Sequence, residues 1–169
     1  MKKGDSSLKS ADFDLNKGKV IDTLQTDYLT LFSKPLDWEI YEKDVELWDP
    51  SGKLFEGLGM YKGFFSVLRF LGNNVFRSNK LKYKIDFDPI EAKVKVRFEL
   101  TLYGYNKPLV LDGISNYYLN WEGWVYMHEI TDLQVISPFN KVLQPPYLQY
   151  IFGPILEGGP IPTPQPAPG

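Results

Sequence analysis

Between residues 80 and 136 the chain alternates apolar and polar side chains at every second position, in four successive segments. In the first, Leu81, Tyr83, Ile85 and Phe87 alternate with lysines and an aspartate. Alternation of this length predicts antiparallel strands with one buried face and one wetter face. The predicted strands are residues 80–88, 92–103, 109–120 and 124–136. They indicate a strongly curved antiparallel sheet of four or more strands, whose apolar face needs a cover.

Two upstream segments have the three- and four-residue apolar spacing of amphipathic helices. Residues 16–33 form the first, which Pro35 cannot continue, and residues 60–71 form the second. Between them, residues 38–49 predict a short strand or an irregular loop, followed by the turn Asp49-Pro50-Ser51-Gly52. The predicted fold class is α+β, with two N-terminal helices packed on the sheet in a cone-like arrangement.

Composition divides the chain into three parts. Residues 1–13 are polar and predict a disordered segment, residues 14–137 form the α+β domain, and residues 138–169 are an aromatic, then proline-rich, extension. The apolar part of this extension is unfavourable in water, so we expect it to contact the domain or another chain. The residues expected to make that contact are Tyr147, Tyr150, Ile151 and Phe152.

Strand register follows from keeping the apolar positions on one face. Leu102 is expected to pair with Leu109, and residues 121–123 are expected to form a three-residue loop between the last two strands. A two-residue loop would exchange the faces of the last strand and put His128 inside. We prefer the three-residue loop because it buries more apolar side chains together. The inner face of the last strand then contains Val125, Met127, Glu129, Thr131, Leu133 and Val135.

Composition also excludes several function classes. The net charge of −2 gives no case for binding nucleic acid, which requires concentrated positive charge. The chain has no cysteine and one histidine, so we expect neither a metal site nor a cofactor. No apolar run approaches the roughly 18 residues that span a bilayer. Alternating basic residues on the outer sheet face allow peripheral contact with an acidic protein or anionic lipid headgroups.

The order of elements resembles the nuclear transport factor 2-like, or SnoaL-like, cone fold. The residues that carry this resemblance are Asp49-Pro50-Ser51-Gly52, Gly57 through Tyr61, and the hairpin at residues 118–123. Residues 36–41 and 69–73 look like a branch of that fold found in plant plastids, cyanobacteria and animal mitochondria. The resemblance covers residues 16–137 and implies location in an organelle, in a plastid stroma or beside a membrane, after removal of a targeting peptide.

Enzymes of this fold place an aspartate or histidine in the cone with a tyrosine partner, and no complete set matches here. Glu129 is one candidate for catalysis, because a carboxyl on an apolar face has a raised pKa that suits proton transfer. His128 is the other candidate, as the sole histidine. The expected pocket residues are Tyr28, Trp38, Tyr41, Ser115, Tyr117 and Glu129. The expected partner-binding face contains Arg97, Asp112, Tyr118, Tyr126, His128 and Asp132.

Three functions fit these observations. The first is a non-catalytic binding or assembly module, which docks a protein partner or a second copy through its outer sheet face and C-terminal extension. The second is a carrier of a small apolar ligand in the cone. The third is an isomerase-like or dehydratase-like enzyme that uses Glu129 or His128 with a tyrosine. The first is our prediction, and the size and lining of any internal cavity discriminate among the three.

Overall fold

A computed structural model describes residues 9–104 and 107–136, together with the backbone of Val142–Leu143. It contains two α-helices, α1 (Phe13–Leu29) and α2 (Leu58–Asn74), and a 3₁₀ turn at Trp38–Ile40. The seven strands are β1 (Tyr41–Asp49), β2 (Gly52–Glu56), β3 (Ser78–Asp88), β4 (Lys93–Tyr103), β5 (Leu109–Leu119), β6 (Val125–Ile136) and β7 (Val142–Leu143). The α+β prediction is confirmed, with both helices and the four predicted strands present.

The strands form one sheet in the order β2-β1-β6-β5-β4-β3, and β7 pairs with the end of β6. All neighbouring pairs are antiparallel except β1 and β6, which are parallel. The predicted pairing of Leu102 with Leu109 is confirmed. Helices α1 and α2 cover the apolar face, where residues from every long strand join one core cluster. Among the described residues, neither helix is long and apolar enough to cross a membrane.

The sequence pattern does not predict β2, and for residues 38–49, which include β1, it predicts either a short strand or an irregular loop. β1 buries Val45 and Leu47 but also contains four charged residues in its first six positions, so its alternation is weak. β2 lies at the edge of the sheet and buries Phe55 alone. The predicted turn between these strands is present, since the buried Asp49 carboxylate accepts a hydrogen bond from the Ser51 N–H at 2.8 Å.

The β5–β6 hairpin anchors the start of α1. The Asn120 N–H donates to the Trp124 carbonyl at 2.8 Å, which confirms the three-residue loop at residues 121–123. Gly123 has a φ of +96°, and a Cβ there would lie 2.8 Å from the Phe13 carbonyl oxygen. The Asn16 side chain donates to the Glu122 carbonyl at 2.9 Å. This loop therefore needs glycine both for its backbone conformation and for its contact with the helix.

A bulge beyond this loop reverses the faces of β6. Leu119 lies opposite Val125, as predicted, but the register then shifts by one residue and brings His128 opposite Tyr117. A shift of one residue moves every following side chain to the other face of a strand. His128 is consequently 2% exposed on the inner side, and Glu129 lies on the outer side. The predicted inward position of Glu129 and outward position of His128 are both wrong.

A second bulge restores the predicted faces near the end of β6. Asp132 has a φ of +50°, and the register shifts again between Asp112 and Ile114. Val135 then lies opposite Leu111, with both side chains on the inner face. The two bulges together leave a short central part of β6 with its faces exchanged, and that part contains the histidine.

The loop after α1 is held against α2 through Phe32. A Cβ on Gly72 would lie 2.2 Å from Cε1 of Phe32, so the Phe32 ring occupies the space of a side chain. The Asn73 side chain also donates to the Phe32 carbonyl at 2.8 Å. The absence of a side chain at position 72 therefore lets this loop pack against the helix.

Alanine substitution at two helical glycines is expected to change stability in opposite directions. Gly72→Ala forces the Phe32 ring out of its position and lowers the free energy of unfolding by about 1–2 kcal/mol. Gly18→Ala in α1 is the matched control, because no atom lies within 4 Å of the new Cβ. This control gains about 0.5–1 kcal/mol from helix propensity. Urea unfolding measures both; equal effects of the two substitutions would contradict the packing account.

Candidate functional site

A cavity of about 150 Å³ lies between the helices and the inner face of the sheet. Most of its wall is leucine, phenylalanine and other apolar side chains from α1, α2 and strands β3 to β6. Helix α1 contributes Leu24, Asp27 and Tyr28, which lie three and one positions apart on one helix face. Leu31 joins them from the turn that follows the helix. The polar groups of the wall are Asp27, Tyr28, Tyr41, Ser115, Tyr117 and His128.

His128 is the centre of a buried polar network beside the cavity. Its Nε2 lies 2.9 Å from the Ser115 hydroxyl, and its Nδ1 lies 2.9 Å from the Tyr61 hydroxyl. The imidazole also stacks on the Tyr117 ring, with centroids 4.2 Å apart. Burial lowers the pKa of His128 to about 3, so the ring is neutral at physiological pH. In a neutral imidazole one nitrogen donates and the other accepts, so both hydroxyls are satisfied in either tautomer.

Tyrosine hydroxyls extend this network on both sides. The Tyr28 hydroxyl lies 2.9 Å from that of Tyr117 and also interacts with Ser115. On the other side of His128, the Tyr61 and Tyr41 hydroxyls interact, and their ring centroids are 4.9 Å apart. Burial raises the pKa of each of these four tyrosines. They remain uncharged near neutral pH and keep the ability to donate a hydrogen bond.

Asp27 places a carboxylate in the wall of this cavity. The residue is 6% exposed, and its two oxygens share one donor, the Asp37 backbone N–H, at 3.2 and 3.3 Å. Loss of solvent raises the pKa of Asp27 to about 6, while the bond from Asp37 opposes the shift. The carboxylate is therefore largely ionised at neutral pH, and one shared bond leaves much of its accepting capacity unused.

The imidazole and the carboxylate in the cavity wall differ in the chemistry that they support. A histidine with a pKa near 3 is a weak base, so His128 is poorly suited to accept a proton at neutral pH. Asp27, with a pKa near 6, is the better matched group for proton transfer. Within the described part of the chain, no three His, Asp or Glu side chains lie close enough to hold a metal ion.

Comparison with protein families gives one match, over residues 18–128, to a family described as "Uncharacterized conserved protein (DUF2358)". The chain belongs to this DUF2358 family. No curated protein matches its sequence significantly. The predicted plastid branch is not tested by this match and stays a prediction.

Several solved structures resemble this DUF2358 chain in fold at low sequence identity. One, described as the epoxide hydrolase/cyclase-like enzyme SalBIII, has a TM-score of 0.50 at 10% identity, covering 72% of this chain and 96% of that one. An NTF2-like protein of unknown function from Exiguobacterium sp. 255-15 has a TM-score of 0.44 at 14% identity, covering 70% of this chain and 92% of that one. A putative scytalone dehydratase from Novosphingobium aromaticivorans DSM 12444 has a TM-score of 0.44 at 20% identity, covering 76% of this chain and 89% of that one. At these identities the likeness shows a shared fold alone, and the solved structures of similar fold include one described as an enzyme.

Most of the predicted pocket residues do line the DUF2358 cavity, namely Tyr28, Tyr41, Ser115 and Tyr117. Trp38 does not line it; its ring packs behind Tyr41 and Tyr61, at 6.1 Å from each centroid. Glu129 also lies outside, on the outer face, where its carboxylate accepts a hydrogen bond from the Tyr118 hydroxyl at 3.4 Å. Its expected catalytic role is therefore not available inside the cone, because the first bulge turns it away.

The predicted partner-binding face is assembled with one exception. Arg97, Asp112, Tyr118 and Tyr126 lie on the outer face, with the Tyr118 and Tyr126 centroids 6.4 Å apart, and Asp132 is exposed at the second bulge. His128 does not belong to this face, because it is buried beside the cavity. The predicted tail contacts at Tyr147, Tyr150, Ile151 and Phe152 fall outside the described residues.

Sequence reasoning missed Asp27 and Tyr61. Asp27 lies three residues after Leu24 and four before Leu31, so a charged residue interrupts the apolar stripe of α1. That interruption is a signal which the pattern contains and which could have identified the residue. Tyr61 carries no such signal, because a tyrosine on the apolar side of α2 is usual in a core.

The buried neutral His128 is expected to make stability depend on pH. The unfolded chain binds a proton on this histidine below about pH 6.5, whereas the folded chain does so only near pH 3. The unfolded state binds more protons in this interval. The contribution of His128 to the free energy of unfolding therefore falls as the pH falls, by at most about 1.4 kcal/mol per pH unit. His128→Gln removes this term, so the difference between wild type and variant should shrink on acidification.

The matched control is Asp27→Asn, because the Asp27 carboxyl changes the free energy of unfolding with pH in the opposite direction. The folded state holds the Asp27 proton more tightly than the unfolded state between about pH 3.8 and 6, so this group lowers stability as the pH rises through that interval. Urea unfolding at several pH values measures both differences. Parallel pH profiles for wild type and His128→Gln would contradict the burial of a neutral imidazole.

Proposed function

We propose that this DUF2358 domain binds a small, mostly apolar molecule in its internal cavity. The observation that carries the proposal is a cavity of about 150 Å³ whose wall is apolar except at the end formed by Asp27, Ser115, the tyrosines and His128. Ligand sites typically combine an apolar lining with a few convergent polar groups. A tightly filled interior would have favoured a role in docking alone.

The volume restricts the ligand to about one ring. Engineered apolar cavities of about 150 Å³ bind benzene, whereas drug-sized ligands use pockets of roughly 300 Å³ or more. A ligand of this size would lie against the leucines of β4 and β5, with any polar group directed to the Asp27 end. A larger ligand would require the wall to move.

A surface depression of about 230 Å³ shares Tyr28, Leu31 and Leu81 with the cavity. It is bounded by residues 28–33, at the end of α1, and by the beginning of β3. The loop that forms its rim is the one held to α2 through Phe32 and Gly72. We propose this depression as the route by which a ligand enters.

Filling the cavity is expected to abolish binding of a one-ring probe. Leu100→Trp places an indole in the cavity, because Leu100 lines it and is 4% exposed. Toluene is expected to raise the melting temperature of the wild type, since it binds the folded state alone, and to leave that of Leu100→Trp unchanged. Arg97→Trp is the matched control, because Arg97 is exposed on the outer face of the same strand.

Thermal unfolding with and without toluene measures this effect. A toluene shift that persists unchanged in Leu100→Trp would sink the proposal, as would no shift in either wild type or Arg97→Trp. Native mass spectrometry of freshly purified protein gives a second readout, since a co-purified ligand appears as added mass.

Docking through the outer face is a second proposed function, and one observation favours it. Ile114, Tyr118, Tyr126 and Met127 are half-buried neighbours on the outer side of β5 and β6, and no described helix covers them. Apolar area grouped in this way is typical of a contact surface. We propose that a second copy of the chain or another protein packs on it.

Self-association through this face is expected to depend on Tyr126. Tyr126→Glu puts a charge into the apolar group and should shift a dimer toward monomer by at least about tenfold in the dissociation constant. Leu29→Glu is the control, because Leu29 is an equally apolar residue, 76% exposed, on α1 at the other side of the sheet. Sedimentation velocity measures both; a dimer unaffected by Tyr126→Glu, or more affected by Leu29→Glu, would exclude this surface.

A further inference from the structure

The proposed ligand site has an unused hydrogen-bond acceptor. Asp27 is the one carboxylate among the described residues that line the cavity, and it is more than nine-tenths buried. Both of its oxygens depend on a single backbone N–H at 3.2 and 3.3 Å. A carboxylate has about four acceptor positions, so most of them have no donor among the described residues.

No cation among the described residues of the cavity wall neutralises this carboxylate. These residues include no lysine or arginine, and the imidazole of His128 in the same wall is neutral. The hydroxyls of Tyr28, Ser115 and Tyr117 are already engaged with one another or with His128. The Asp27 carboxylate is therefore the group in the wall that most lacks hydrogen-bond partners. A ligand that pairs with it must carry a hydrogen-bond donor.

We propose that the cavity selects ligands that carry a hydrogen-bond donor, which bonds to the Asp27 carboxylate, and that it rejects ligands carrying a carboxylate. This inference rests on the proposed function and adds the chemical class of the ligand. A hydroxyl or amine at one end of a compact apolar body meets both halves of the site. The donor supplies the missing bond, and the body contacts the leucine-rich wall. A carboxylate at the same position faces Asp27 at close range with no counter-ion, which is strongly unfavourable in a buried site.

Three one-ring probes of similar size test this selection: toluene, with no polar group, phenol, with a donor, and benzoate, with a negative charge. Their dissociation constants are measured by ¹H–¹⁵N NMR titration of the full chain at neutral pH. Asp27→Asn preserves the shape of the side chain and removes its charge. This substitution is expected to weaken phenol binding about fivefold to tenfold, since charge-assisted bonds are roughly twice as strong as neutral ones. Toluene binding should change less than twofold, and benzoate binding should become stronger.

Asp37→Asn is the matched control. Asp37 is exposed and lies outside the cavity lining, yet it acts electrostatically on Asp27. The Asp37→Asn substitution removes the same unit of charge and keeps the Asp27 acceptor. It is expected to leave the ratio of phenol affinity to toluene affinity within about twofold of wild type. Asp27→Leu is the second variant at position 27; it should lower phenol affinity at least as much as Asp27→Asn while retaining toluene.

The outcomes separate this inference from the function on which it rests. Failure of toluene and phenol alike to bind the wild type overturns the cavity as a ligand site. Toluene binding with a phenol-to-toluene ratio unchanged in Asp27→Asn and Asp27→Leu overturns donor recognition alone. Benzoate binding as tight as phenol in the wild type also overturns it. Amine ligands are then distinguished from hydroxyl ligands with benzylamine against benzyl alcohol, and binding of either through Asp27 supports the inference.

Discussion

The imidazole of His128, held between the hydroxyls of Tyr61 and Ser115, is the interaction on which the interior of this domain depends. It connects α2 to the two central strands, and it lies where apolar packing alone would be expected. Each of the three groups is buried, and each satisfies the hydrogen-bonding demand of another. A buried polar group left without a partner costs about 1–3 kcal/mol, so removing any one of them affects the others. The network fixes how helix and sheet meet.

This network also determines the character of the cavity. The side chains that line the cavity from β4 and from the start of β5 are leucines and a phenylalanine, whereas Ser115, Tyr117 and His128 bring polar groups from the rest of β5 and from β6. The polar end is rigid because its hydroxyls are bonded to each other, and Asp27 is the exception, with one shared donor. An interior of this kind holds an apolar molecule by contact area and orients it by a single polar group. The fold is common to proteins of many activities, so function is argued from these side chains.

Sequence periodicity predicted the helices, the four long strands and the pairing of Leu102 with Leu109, because long alternating segments have few alternative arrangements. It failed at the centre of β6, since a bulge adds one residue without changing the apolar pattern enough to be noticed. That failure exchanged His128 and Glu129, the two candidates for catalysis. It also missed Asp27, whose burial follows from tertiary packing of α1, and β2, which is short and at the sheet edge.

The parallel pairing of β1 with β6 has a consequence for how the chain acquires its structure. Trp48 lies beside Glu129 in the sheet, although 81 positions separate them in the sequence. During synthesis the β1–β2 hairpin leaves the ribosome long before its neighbour exists, with one edge of unpaired backbone groups. Contacts of such long sequence separation slow folding, because loop-closure entropy is lost before the contacts form. Of the long strands that the structure describes, the last to be translated is thus the one that joins the two parts of the sheet. Until it is made, the nascent domain exposes a strand edge that can pair with other chains.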